Sequence, residues 1–152
     1  MPNTKPFVAM ATFCERLLIE PDGVMTAVRV VDTYFVEVQG NLPLDTVPGI
    51  EVNGVVSVKS GDVTGSHTLD LVMENPLGER KRLSPETGWP IELNGGEHGA
   101  NIRLKFQIGV KNYGLLWFDV FFDGDQLLTR IPLMLRQGQQ PNPTTIPVAD
   151  LK

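Results

Sequence analysis

The sequence lacks several features that would narrow its function. It contains a single cysteine, Cys14, so no disulfide can form within the chain. A reducing compartment is then the default, and we expect a cytoplasmic protein. No apolar run reaches the roughly 18 residues needed to span a membrane, and the first residues do not resemble a signal peptide. We therefore expect no membrane partner.

Positive charge is also scarce. The chain has 13 Lys and Arg residues against 18 Asp and Glu, a formal net charge of −5. Phosphate backbones are bound by clustered Lys and Arg, so we expect no nucleic-acid partner. The densest basic run, Arg80–Arg82, is interpreted as a solvated strand or loop.

Motifs for catalysis and cofactor binding are missing as well. The sequence has no P-loop, dinucleotide fingerprint or Gly-x-Ser-x-Gly motif. His67 and His98 have no ligand-type partner at close spacing and are interpreted as surface or strand-end residues. Cys14 lies in no nucleophile signature and is expected to be a small buried residue. We predict no catalytic, cofactor-binding or metal-binding residues, and no cofactor.

Turn-forming residues and alternating patterns are what the sequence does have. It contains 12 prolines and 15 glycines, and no segment of useful length shows a helical period. Apolar and polar residues alternate over His67–Glu74 and Asn101–Lys111, which is typical of strands with one buried face. Shorter strands are predicted over Gly54–Lys59 and Trp89–Leu93, and a flexible turn over Asn94–Glu97.

Three hairpins recur, with turns at Pro21–Gly23, Asn75–Gly78 and Asp123-Gly124. An Asp-Gly pair between apolar strands favours a tight turn because such a turn requires positive φ. The pattern predicts an all-β protein, a two-sheet antiparallel sandwich of roughly seven to nine strands. We expect one sandwich domain over residues 1–136. Residues 137–152 form a polar, proline-rich tail that is either disordered or docks on a neighbour.

Two segments resemble known proteins. Tyr113–Gly124, followed by Ile131–Leu133, resembles the closing hairpin of immunoglobulin-like sandwiches. Phe13–Arg16, with a strand, Pro21–Gly23 and a return strand, is similar to the opening of a family of short uncharacterised bacterial proteins classed as a domain of unknown function. That likeness would cover roughly residues 7–136 and departs at Val28–Val31. It implies a β-sandwich, no assigned activity and no catalytic residues.

The strand Leu115–Phe122 is apolar on both faces. If its even-numbered residues face inward, Leu115, Trp117 and Phe121 lie on the opposite face together with Asp119. Exposed aromatic side chains usually mark an interface, so we predict an interface at Leu115, Trp117 and Phe121. Alternatively, a loop or the tail covers them within one chain, or Trp117 lines a ligand groove. The opening hairpin, also apolar on both faces, is a second candidate.

These observations favour a non-enzymatic interaction or structural module that self-associates, most simply as a homodimer, or binds another protein. The alternative is a ligand-binding sandwich for sugar or calcium. Asp123-Gly124-Asp125, with Asp22 or Asp62, could imitate a calcium site, although the same residues also suit a plain hairpin turn. A hydrolase using Cys14 or a carboxylate pair is a third reading.

Overall fold

The computed structural model describes residues 5–36 and 49–138, and these residues form strands and turns with no helix. The strands are β1 (Phe7–Ile19), β2 (Met25–Val31), β3 (Thr33–Val36), β4 (Gly49–Glu74), β5 (Arg80–Arg82), β6 (Trp89–Gly109), β7 (Gly114–Phe122) and β8 (Gln126–Gln137). The all-β prediction is confirmed. Within those two ranges there is accordingly no helix long and apolar enough to cross a membrane.

All three predicted hairpins form. β1 pairs with β2, β4 with β5, and β7 with β8, each antiparallel across the expected turn. Gly23 has φ of 85° and Gly124 has φ of 86°, the left-handed region that glycine enters without steric cost. Asp123 also has positive φ, at 49°. The turn residues therefore carry the backbone geometry for which they were singled out.

Two strands are much longer than predicted. Gly54–Lys59 and His67–Glu74 both belong to β4, and the segments on either side of Asn94–Glu97 both belong to β6. The turn predicted at Asn94–Glu97 is wrong. Gly95 and Gly96 have positive φ, but pairing with β4 continues on both sides of them through register irregularities. Because the ladder is kept, the glycines distort the strand without ending it.

The eight strands form one hydrogen-bonded mixed sheet, in the order β2-β1-β4-β7-β8-β3, with β5 and β6 also paired to β4. The expectation of purely antiparallel pairing is wrong at one place, because β3 runs parallel to β8. Thr33 pairs with Met134, and Val36 pairs with Gln137. A parallel pair needs a long connection rather than a tight turn, so it leaves no local sequence signal.

β4 cannot be straight. Phe13 on β1 pairs with Gly54, whereas Phe118 on β7 pairs with Met73, near the other end of β4. An extended strand would separate Gly54 and Met73 by roughly 60 Å. Yet the rings of Phe13 and Phe118 meet edge to face with centroids 4.9 Å apart. β4 therefore folds back, and its two halves bring β1 and β7 together around the core.

The main core lies between these halves and includes Phe13, Leu71, Leu104, Phe118 and Leu133. A smaller cluster of Cys14, Leu17 and Val55 is buried separately. β8 continues to Gln137, one residue past the predicted domain boundary. The predicted tail from residue 139 onward lies outside the described residues.

Candidate interaction surface

β7 has the predicted alternation. Leu116, Phe118, Val120 and Phe122 are buried in the core, as expected for the inward face. The three residues predicted to form an interface, Leu115, Trp117 and Phe121, point to the other face and are half-buried. They are thus neither packed into the core nor fully open to solvent.

Arg130 shields part of the Trp117 ring from solvent. Its guanidinium carbon lies 4.8 Å from the centroid of the Trp117 ring, which is within the range of a cation–π contact. Arg130 sits on β8 opposite Asp119, whereas Trp117 pairs with Pro132, so the arginine reaches along the strand to the indole. The indole is therefore presented beside a fixed positive charge.

Asp119 organises the charges around this contact. It occupies the middle of β7 on the outer face and is only 4% exposed. Its carboxylate accepts a hydrogen bond of 2.8 Å from Nε of Arg130 and one of 3.0 Å from Arg80. Arg80 comes from β5 and Arg130 from β8, so one buried carboxylate holds arginines from both sides of its strand.

Glu74 binds the same two arginines. Its carboxylate accepts a hydrogen bond of 2.7 Å from Arg130 and one of 3.3 Å from Arg80. Asp119 first, and Glu74 after it, raise the pKa of Arg130 above its ordinary value. Beside this network Asp70, 6% exposed, pairs with Arg82 and accepts a hydrogen bond from the Ser84 hydroxyl.

We call this surface the arginine–aromatic face. It consists of Asp70, Glu74, Arg80, Arg82, Leu115, Trp117, Asp119, Phe121 and Arg130. Arg80–Arg82 forms the exposed strand β5, in agreement with the interpretation as a solvated strand or loop, but its two arginines also form ion pairs that the sequence did not indicate. Arg80 and Arg82 alternate onto the outer face of β5, and each reaches a carboxylate that the fold has nearly buried. Their side chains still keep about two fifths of their surface in solvent, at 42% and 41%.

A second surface is more exposed than the sequence indicated. Large apolar side chains stand in solvent on β1, β2 and the turn between them: Phe7, Met10, Ile19, Val24 and Val30. Val30, at 65% exposed, is among the most open of these. The sequence indicated this hairpin as a second candidate interface because it carries apolar residues on both faces. We call these five exposed residues the opening-hairpin patch.

His67 and Asp123 tie the tip of the β7–β8 hairpin to β4. Nδ1 of His67 lies 2.8 Å from Oδ2 of Asp123, and Nε2 lies 2.9 Å from the carbonyl oxygen of Thr64. Both ring nitrogens face acceptors, so the doubly protonated ring suits the site. The carbonyl of Thr64, followed by the Asp123 carboxylate, raises the pKa of His67.

The same contacts weigh against the calcium alternative. Oδ1 of Asp123 accepts a hydrogen bond from the backbone N–H of Thr68, and Oδ2 of Asp123 faces His67. Both carboxylate oxygens of Asp123 therefore already have partners. Oδ1 of Asp22 accepts from the N–H of Val24 within its own turn. Across residues 5–36 and 49–138, no group of three or more His, Cys, Asp or Glu side chains is placed to hold a metal ion.

Stability should depend on pH through His67. Its pKa is raised in the folded state, so its contribution is fully present below the ordinary value of 6.5 and is lost as pH rises through the raised value. We expect His67→Gln to lower the free energy of unfolding by up to about 1 kcal/mol near pH 5 and by less near pH 8. Urea unfolding at both pH values measures this. His98→Gln is the matched control, and a loss in His67→Gln that does not change with pH would contradict the assignment.

Cys14 is not placed as a nucleophile. Its side chain is completely buried beside Leu17 and Val55. Burial raises the pKa of its thiol, which lowers the thiolate fraction that attack would require. The cysteine instead behaves as a small core residue, as its sequence context indicated.

Comparison with known proteins adds little to this geometry. No protein-family model matches the chain, and no curated protein sequence does. Among solved structures, the chain is similar to part of a beta-glucosidase from Listeria innocua, at 10% sequence identity and a TM-score of 0.41. The match covers 85% of this chain but only 16% of that enzyme's chain.

Proposed function

We propose that this protein is a non-enzymatic interaction module that self-associates through the arginine–aromatic face. The observation that carries the proposal is the half-buried Trp117 beneath Arg130, which the nearly buried Asp119 holds in place. Asp119 also holds Arg80, and on the same face Asp70 holds Arg82. Trp and Arg are the residues most enriched at the energetic centres of protein interfaces. A cytoplasmic location belongs to the same proposal.

The ion pairs prepare the arginines for binding. A free arginine side chain loses considerable rotamer entropy when a partner immobilises it. Here Arg80 and Arg130 share the carboxylates of Asp119 and Glu74, so part of that loss has already occurred on folding. The guanidinium edges left in solvent can then donate to a partner at lower entropic cost.

A second copy of the chain is the partner that the charges favour. Arg80, Arg82 and Arg130 balance Asp70, Glu74 and Asp119, so the face has no net charge to select an acidic or a basic partner. Two-fold symmetry places the same patch against itself, which a neutral face of mixed sign tolerates. Leu115, Trp117 and Phe121 would supply the apolar contact between the copies.

We further infer that the two halves of the chain pack as a β-sandwich of the immunoglobulin-like kind. The edge-to-face contact between Phe13 and Phe118, and the fold-back of β4 that it requires, support two layers. In such a fold β1 and β2 belong to one layer and β7 and β8 to the other. The arginine–aromatic face and the opening-hairpin patch would then lie on opposite outer surfaces.

Paired substitutions distinguish the two surfaces. We expect Trp117→Asp to weaken self-association at least about 30-fold, the loss typical of a central interface residue. Val30→Asp places the same charge on the opening-hairpin patch and should leave the mass unchanged. Sedimentation velocity over a range of concentrations measures the mass against the 16.8 kDa of one chain. Circular dichroism of both variants is the control that each one is folded.

Two outcomes would contradict the proposal. One is a wild-type protein that sediments as a single chain at every concentration. The other is a dimer that Val30→Asp dissociates and Trp117→Asp does not, which would transfer the interface to the opening-hairpin patch.

A further inference from the structure

A cavity of about 430 Å³ opens between the β4–β5 hairpin and the connection from β6 to β7. Its volume lies within the roughly 300–1,000 Å³ of small-molecule sites. It is separate from the surface proposed for self-association, with Arg80 as the one side chain that contributes to both. What it could bind follows from its floor and its rim.

The floor is apolar. Met73, Ile108, Leu116 and Leu135 line it, and all four are buried members of the main core. Leu83, which follows β5, completes it and is half-buried. These side chains give the floor a hydrocarbon surface, and the amide side chains of Gln107 and Asn112 also line the cavity.

The rim is cationic. Lys81 pairs with Met73 in the β4–β5 ladder, so its side chain is on the same inward face as Met73. Lys111 lies in the connection after β6 and lines the same cavity. None of the ion pairs formed within the described ranges involves either lysine.

The other charges at the rim offset at most one of these two lysines, because Glu79 is the one carboxylate among the lining residues. Arg80 is neutralised from the outer side by Glu74 and Asp119. Glu79 is the carboxylate among the lining residues, and its Oε2 accepts a hydrogen bond from the side-chain amide of Asn75. The lining therefore combines a hydrocarbon floor with an excess of positive charge at its mouth.

We propose that this cavity binds a small amphipathic anion, with its anionic head at Lys81 and Lys111 and a short hydrocarbon tail on the floor. The tail gains from leaving water against Met73 and Leu116. The head gains from two exposed ammonium groups at the mouth of the same cavity, neither of which is held in an ion pair with a carboxylate of the described residues. The chemistry selects an anion over a cation or a neutral chain of the same length.

Calorimetric titration of the full chain with octanoate, octylamine and 1-octanol tests this directly. We expect saturable binding of octanoate, at least about tenfold tighter than that of the other two chains. Lys81→Glu and Lys111→Glu should each weaken octanoate binding about tenfold. Lys105→Glu, an exposed lysine outside the lining, is the matched control and should leave binding unchanged.

A cavity-filling variant tests the floor independently of charge. Leu83→Trp places a larger side chain at a half-buried lining position and should abolish octanoate binding, with circular dichroism as the check that the variant is folded. Equal binding of all three probes, binding that the lysine variants leave unchanged, or no saturable binding of octanoate would each overturn the proposal. Because the readout is ligand binding, it is decided separately from the oligomeric state.

Discussion

Phe118→Ala is expected to lower the free energy of unfolding by about 4 kcal/mol, the largest effect of any single substitution considered for this protein. Phe118 is completely buried at the centre of the main core. Its ring contacts Phe13 edge to face at 4.9 Å and Phe106 at 5.5 Å. Truncation removes both aromatic contacts and leaves a cavity between strands that cannot close around it, because β1, β6 and β7 are held by their ladders.

Urea unfolding followed by tryptophan fluorescence measures this loss, since Trp89 and Trp117 both lie in strands. Phe7→Ala is the matched control. Phe7 is 42% exposed, so its truncation should change the free energy of unfolding by no more than about 0.5 kcal/mol. Similar losses for the two variants would mean that Phe118 is not at the junction of the two halves.

Asp119→Asn is expected to lower the free energy of unfolding by about 2 kcal/mol. The substitution keeps the shape of the side chain but removes the charge that holds Arg80 and Arg130. Breaking a fully buried ion pair costs about 3–5 kcal/mol, but both arginines are two fifths exposed and regain water, so the loss is smaller. Self-association should weaken as well, because the arginines lose their fixed positions.

Asp125→Asn supplies the control for this prediction. Asp125 is exposed in the turn of the same hairpin, so the variant removes the same charge without touching the arginines. Urea unfolding and sedimentation should both give wild-type values for it. An Asp119→Asn protein as stable as Asp125→Asn would show that the network contributes nothing to the fold, and the proposed preorganisation would then fail with it.

Local sequence signals were sufficient for the hairpins and for the faces of β7. The tight turn predicted at Asp123-Gly124 requires positive φ, and both residues have positive φ in the structure. The alternation over Leu115–Phe122 places Trp117 and Phe121 on the outer face because side chains in a strand alternate, whatever that strand packs against. Predictions of this type depend on neighbours in the chain and hold without knowledge of the fold.

The arginine–aromatic face could not be predicted in the same way. Arg80 lies in a basic run that resembles an ordinary solvated segment, and nothing near it in sequence indicates Asp119. Arg130 reaches Glu74 from a strand that is remote along the chain. The sequence pattern indicated an aromatic surface at Trp117, but not the ion pairs that surround it.

By itself the sequence determined the all-β class, the three hairpins and the side of β7 on which Trp117 lies, because each depends on turn geometry or on the two-residue period of a strand. Only the tertiary structure decided that β4 is one folded-back strand, that β3 runs parallel to β8, and that Asp119 meets two arginines. These features join residues that are distant in sequence. Remote strands pair because their pairing buries the apolar side chains of a shared core. The free energy of that burial is gained only when the whole chain has folded.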